Sequence, residues 1–334
     1  MRVRTFLAIL LLLLSSLLLV QCASTPQSGG GEGKTLKMAA IFPGVITDSD
    51  YNTLGYLGLE AVNKKLGIET AYSESVAVPD TERVIREYID GGYNIIFTHG
   101  GQFLSKTAEL AKQFPDVYFI GEGDAAVQDP PPNLWVIDRN FHVGFYAIGA
   151  LAGLQSQTGK IGYLGGLTLP FSYAEVHAMQ QAIDDLGLNV KLTPVWVGNF
   201  NDPAKARELA DAMIADDNDV LVGSLNQGML GVFEAVKATP KTVWVTAKYT
   251  DKSSFAPDNY LTSLLYDFAG PLTEIVSKIQ AGESGGYYPL GFKTGVALQE
   301  PQHVSDDVKK QVDQIIQDLK SGKIKVEKNT EPIE

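Results

Sequence analysis

Short apolar runs of strand length alternate with amphipathic stretches of helical period along most of this chain, and that alternation restricts the fold more than any other feature. Leu36 to Phe42 is an apolar run closed by Pro43-Gly44, and from Tyr51 to Leu66 apolar residues recur at helical spacing. Tyr93 to Phe97, Val117 to Ile120 and Leu134 to Ile137 read as further strands, separated by helical stretches at Arg83 to Ile89 and Leu104 to Phe114. A small-residue helix, Phe145 to Leu154, opens a second series. Its strands are Lys160 to Leu164, Asn189 to Val197, Val220 to Val222 and Val243 to Val245, and its helices Val176 to Leu186, Pro203 to Asp216 and Met229 to Lys237. Strand then helix, repeated, builds a parallel sheet with helices on both faces. A body of roughly 300 residues exceeds what one core usually encloses, so two doubly wound α/β lobes in tandem are expected. In such sheets the loops at the carboxyl ends of the strands bind ligands.

The segment before the first strand has a different character. Met1-Arg2-Val3-Arg4 is a positively charged start, and Leu7 to Val20 is apolar apart from Ser15 and Ser16. This is the layout of a secretory signal peptide, and it is shorter than the run of about 20 residues that spans a bilayer. Leu19-Val20-Gln21-Cys22 follows, with Cys22 the sole cysteine. The arrangement resembles a bacterial lipobox, although Gln21 stands where a small residue is usual. Residues 1–21 are therefore expected to be an export signal, Cys22 a lipidation site, and 22–34, rich in Ser and Gly, a flexible tether. The expected location is the cell membrane, by a lipid anchor, facing the periplasm or the cell exterior. The alternative is that Cys22 is incidental to an ordinary signal peptide. Gly33-Lys34-Thr35 imitates the end of a phosphate-binding loop, but Ser28 stands where that pattern requires glycine and the segment precedes the first strand.

A net charge of -12 with no basic stripe argues against a nucleic-acid partner, because phosphate contact needs clustered Lys and Arg. The histidines, at 99, 142, 177 and 303, have no metal-ligand spacing, no Gly-x-Ser-x-Gly elbow occurs, and the cysteine lies in the export region. Asp48 and Asp50 share one loop, a poor setting for two separated catalytic carboxylates. No enzyme, metal or cofactor is expected.

The strand-end loops carry the more specific signals. Gly44-Val45-Ile46-Thr47-Asp48-Ser49-Asp50-Tyr51-Asn52 follows the first strand; later come Gly162-Tyr163-Leu164-Gly165-Gly166, Asn199-Phe200-Asn201-Asp202-Pro203-Ala204-Lys205, Gly228-Met229-Leu230-Gly231, Phe255-Ala256-Pro257-Asp258 and Gly291-Phe292-Lys293-Thr294-Gly295. Together, over about residues 36 to 300, they resemble the basic membrane protein family, also called the purine nucleoside receptor family. The resemblance implies a type I periplasmic-binding-protein fold with three hinge crossovers. It also implies a receptor that feeds a purine nucleoside or base to a membrane permease and its ATPase. Carried over, it gives Asp48 and Asn52 the base edge and Tyr51 the base face. Read from the residues alone, Asp48 to Asp50 equally suits a helix cap, with Tyr51 packed in the lobe.

One loop departs from the family. Where an acidic residue after the Trp-Val strand would hold the ribose, this chain has Lys248-Tyr249-Thr250-Asp251, which leaves base and nucleoside both open. Further candidates are His99 and Gly100 after one strand, Arg139 at a lobe crossing, and Asn226 and Gln227 at a helix start; Phe103 and Trp135 read as core. The lobes are expected at 35–140 with 249–290 and at 141–248 with 291–330. The remaining alternatives are a receptor for another small planar or polar solute and a surface lipoprotein with an adhesin-type role.

Overall fold

A computed structural model describes residues 35–333; the expected export signal, Cys22 and tether lie outside the described residues. The first half runs β1 (Lys37–Ile41), α1 (Tyr51–Leu66), β2 (Glu69–Ser73), α2 (Thr81–Asp90), β3 (Ile95–Thr98), α3 (Leu104–Gln113), β4 (Tyr118–Gly123) and β5 (Leu134–Asp138). The second runs α4 (Phe141–Gln155), β6 (Lys160–Gly165), α5 (Pro170–Asp185), β7 (Lys191–Trp196), α6 (Pro203–Ala215), β8 (Val220–Ser224), α7 (Met229–Ala238), β9 (Trp244–Tyr249) and β10 (Tyr260–Tyr266). The chain ends with α8 (Ala269–Gln280), β11 (Gly286–Pro289), β12 (Val296–Leu298) and α9 (Asp306–Ser321).

Two six-stranded sheets result, ordered β11-β5-β4-β3-β1-β2 and β12-β10-β9-β8-β6-β7. Every pairing is parallel except β10 with β12. Strands of a parallel sheet lose both faces to helices, so they read as continuous apolar runs. Accordingly β3 and β8 are buried at every position. Ile95, Ile96, Phe97 and Phe119 are fully enclosed, each contributing on the order of 2 kcal/mol by burial. Helix α4 is buried almost all round, and Gly149 lets it approach α5: a Cβ there would fall 2.5 Å from the Met179 Cα.

The chain passes between the sheets three times, at Asp138 to Phe141, Tyr266 to Ala269 and Pro289 to Val296. The middle crossing differs from expectation. Residues 249–266 do not join the first lobe, because β9 continues to Tyr249 and β10 pairs beside it, with Leu264 opposite Lys248 and Leu265 opposite Tyr249. The apolar run Leu261 to Leu265 has to bury both faces, and the second sheet offers a parallel neighbour at once. In each sheet the order reverses beside the first strand, β1 or β6, which places the ligand-binding crevice at the carboxyl ends that the two lobes turn towards each other.

Candidate ligand-binding cleft

The loop after β1 is organised by Asp48. Its Oδ1 accepts from the N–H groups of Asp50 (2.9 Å) and Thr53 (3.0 Å) and from Thr53 Oγ1 (3.0 Å). Its Oδ2 accepts from Asn52 N–H (3.0 Å) and Asn52 Nδ2 (2.7 Å). These bonds satisfy the free donors at the start of α1. Burial opposes ionisation of Asp48, yet the backbone donors of Thr53, Asp50 and Asn52 outweigh it and hold the carboxyl below its ordinary range. A carboxylate only accepts, so the Asn52 amide is oriented with its nitrogen on Asp48 and its oxygen away. Asn52 Oδ1 is buried and has no hydrogen-bond partner in the structure.

That amide borders a cavity of about 620 Å³ to which nearly every strand-end loop contributes. From the first lobe come Asn52, Gln102, Asp124 and Arg139; from the second come Leu167, Leu169, Phe171, Phe200, Asn201, Asn226 and Tyr249. Phe171, in the first turn of α5 behind Pro170, and Phe200 stack with centroids 6.2 Å apart and planes 17° apart. Gly166 makes this possible, since a Cβ at that position would overlap the Phe200 ring. Tyr249 ends β9 with φ of 78°, a left-handed backbone that a bulky side chain rarely adopts. Such strain persists only where the surroundings impose it and concentrates at functional sites. Here it marks the point where β9 meets the cavity.

Each lobe supports the cleft with a buried polar network. Below the first-lobe floor, Tyr51 Oη donates to Glu122 (2.5 Å), His99 Nδ1 contacts the other Glu122 oxygen (2.6 Å), and His99 Nε2 contacts the Tyr51 carbonyl (2.8 Å). Arg139 forks onto Asp124 through Nε (3.0 Å) and Nη2 (2.5 Å) and donates to Tyr51 Oη (3.2 Å). Burial works against the guanidinium charge, but Asp124 and the surrounding acceptors keep its pKa well above the ordinary value. In the second lobe Lys248 donates to Glu175 (2.6 Å), whose other oxygen accepts from Tyr163 (2.6 Å). Lys248 Nζ also lies 3.7 Å from the Phe141 ring centroid. Burial lowers the pKa of Lys248 against the pull of Glu175.

At the mouth the lobes touch through a third charged group. Lys252, after β9, pairs with Asp50, before α1, and Thr250 Oγ1 donates to the Ser49 carbonyl (3.2 Å) and to Asp50 (3.3 Å). Burial pushes the Asp50 carboxyl up to about 6, with Lys252 offsetting only part of the effect.

The expected site residues thus divide. Asn52, Arg139, Asn226, Tyr249 and Tyr51 border the cavity. Tyr51 does not offer an open ring face on the side of His99, which stacks on it at 3.9 Å. Its hydroxyl is tied to Glu122 and Arg139 besides. Asp48 is consumed by capping. His99, in contact with Glu122, and Lys248, paired with Glu175, are fully buried and do not reach the cavity. Gly100, with φ of 130°, shapes the turn that delivers Gln102. Gln227 and Asp251 line a separate recess of about 520 Å³ beside the Asp50–Lys252 pair, which Asn226 also borders. Phe171 and Asp124 are not singled out by the sequence; Gln102 stands in the candidate run His99-Gly100-Gly101-Gln102 without a role of its own, and Phe200 and Asn201 enter only through the loop that carries the family resemblance. An aromatic in a polar strand-end loop, as in Asn199-Phe200-Asn201, was the available signal.

Two α/β lobes joined by three crossings, with a partly apolar cleft formed from their strand-end loops, define a solute-binding receptor. The chain belongs to the Bmp family of PnrA-like ABC transporter substrate-binding proteins, whose family model matches residues 35–330. It is 26% identical over 335 residues to basic membrane protein A of Borreliella burgdorferi, covering 98% of this chain and 97% of the relative. It is also 26% identical over 272 residues to a purine-binding protein of Brucella abortus, covering 80% and 74%. Among solved structures it matches an ABC transporter solute-binding protein of Conexibacter woesei with a TM-score of 0.73 and 24% identity, over 89% of this chain and 100% of that one.

Proposed function

We propose that this substrate-binding protein is a lipid-anchored receptor that captures a purine, the free base in preference to the nucleoside, and presents it to an ABC permease. The observation that carries this reading is the unpartnered acceptor Asn52 Oδ1, fixed in direction by Asp48 at the edge of an aromatic-walled cleft. A buried acceptor without a partner costs about 1 to 3 kcal/mol. A ligand whose ring edge carries an N–H, as adenine and hypoxanthine do, recovers that energy, while Phe171 and Phe200 offer a face for stacking, a contact that contributes about 1 to 3 kcal/mol per base in single-strand binders. Base is favoured over nucleoside because the groups nearest the expected ribose position are committed elsewhere. Lys248 is held by Glu175, Tyr249 is a neutral phenol, and Asp251 faces the other recess. The purine-binding relative from Brucella abortus supports the same ligand class. Lipidation at Cys22 and export complete the reading.

Mass spectrometry of small molecules released on denaturing freshly purified protein, followed by calorimetry with adenine, hypoxanthine, adenosine, inosine and glucose, tests it. Adenine or hypoxanthine should bind at least as tightly as its nucleoside, and Asn52→Leu should weaken the base by tenfold or more, about 1.4 kcal/mol. Tighter binding of glucose than of every purine would overturn the reading.

A further inference from the structure

The chain beyond α9 belongs to no sheet or helix, yet it is tied to both lobes. Gly322, with φ of 76°, ends α9, and the following residues run along α5. There the Gln181 amide grips their backbone twice, donating to the Lys325 carbonyl (3.0 Å) and accepting from Glu327 N–H (3.0 Å). His177 Nε2 meets the Glu331 carbonyl at 2.9 Å. Ile324 and Val326 pack on a small core shared by α4, α5 and α9. All of these partners belong to the second lobe.

Lys328 points the other way. Its ammonium donates to both Asp138 oxygens (2.9 and 2.8 Å) and to the Asp124 carbonyl (2.6 Å). Asp138 ends β5 at the first crossing and also accepts from Tyr287 (2.5 Å) in β11, the strand that leads into the third. The Asp138 side chain is 2% exposed, so these donors rather than bulk water satisfy its oxygens. Asp138 precedes Arg139, and Asp124 is the carboxylate on which Arg139 forks. Lys328 therefore ties the Asp124 backbone carbonyl to the side-chain carboxylate of Asp138, the neighbour of Arg139, on the cleft floor, while its own segment rides on the helix that carries Phe171.

We infer that residues 323–333 form a strap across the hinge, in which Lys328 is a positioning residue: it couples the second-lobe wall of the cleft to the first-lobe floor and limits how far the lobes open, without touching the ligand. A hinge is a few residues that absorb the rotation between domains. A side chain that bonds one lobe while its backbone is held by the other must stretch or break as they part.

The test uses the full chain carrying Cys22→Ser, with spin labels at Lys64→Cys on α1 and Glu208→Cys on α6, both exposed. Without ligand, Lys328→Met should broaden the interlobe distance distribution towards longer values, and Lys328→Arg should restore it. Gln181→Ala, which frees the other end of the strap and leaves Asp138 paired, should broaden it in the same direction. A distribution unchanged in both Lys328→Met and Gln181→Ala would overturn the inference. So would a failure of Lys328→Arg to restore it while the unfolding midpoint falls equally in both Lys328 variants, since that would reduce Lys328 to a fold-stabilising group. A second arm, resting on the purine reading, predicts adenine affinity reduced about tenfold in Lys328→Met. If wild type does not bind adenine, the distance measurement still decides for or against the strap.

Discussion

Replacing Lys252 with methionine should part the lobes at the mouth of the cleft. The Asp50 and Lys252 side chains are 4% and 7% exposed, and they face each other from opposite lobes. Removing one partner of a buried pair leaves an uncompensated charge, at a cost of about 3 kcal/mol or more. The simplest relief for Asp50 is hydration, which opening provides. Small-angle scattering of the ligand-free Lys252→Met protein should therefore give a larger radius of gyration at pH 7. Asp50→Asn should do the same to a lesser degree, because it strands the ammonium beside Thr250. The double variant Asp50→Asn with Lys252→Met carries neither charge and should return towards the wild-type radius. The pH dependence has a definite sign. In the paired state the Asp50 pKa is about 6, against about 3.9 for a hydrated aspartate. A raised value means that protonation favours the closed arrangement. This contribution is complete below about pH 4 and is lost as the pH rises through 6. Between pH 5 and 7 it changes by about 1.3 kcal/mol, up to roughly ninefold in apparent ligand affinity, stronger at pH 5. Asp50→Asn should lose that increment. A double variant as open as Lys252→Met, or a wild-type affinity that falls from pH 7 to 5 by more than that of Asp50→Asn, would refute the reasoning.

Lys248→Met should strand Glu175 in the second lobe and lower stability by about 3 to 5 kcal/mol, read from urea denaturation, whereas pairing it with Glu175→Leu should recover much of the loss. Phe200→Ala should weaken a bound purine by about 1 to 3 kcal/mol in calorimetry while leaving the unfolding midpoint nearly unchanged, since that ring faces the cavity. Cys22→Ser should release the protein from membranes into the soluble fraction without altering its circular dichroism, because stable anchoring needs lipid chains and the tether adds nothing to the core.

What the sequence determined by itself is local or periodic. Helix α1 runs from Tyr51 to Leu66, the limits set by its apolar spacing and by Gly67, whose φ of 67° closes it. The central strands β1, β3, β6 and β8 were legible because a strand buried on both faces needs an apolar run regardless of its neighbours. The class of the cleft was also legible, since a doubly wound sheet can bind only where its strand-end loops converge. What the tertiary structure decided is which polar groups remain available there. Lys248 and His99 stand in suitable loops, but each finds a buried partner that spacing cannot reveal, a Glu175 carboxylate 73 residues away and a Glu122 on the neighbouring strand; for Asp48 the structure chose the cap, one of two readings that the sequence left open. Asn52 became the free acceptor only because Asp48 engaged its nitrogen. The middle crossing lay at Tyr266 rather than after Lys248 because the seven-residue run of β10 had a partner in the second sheet, and strand pairing across distant sequence is settled by packing, which no local pattern encodes.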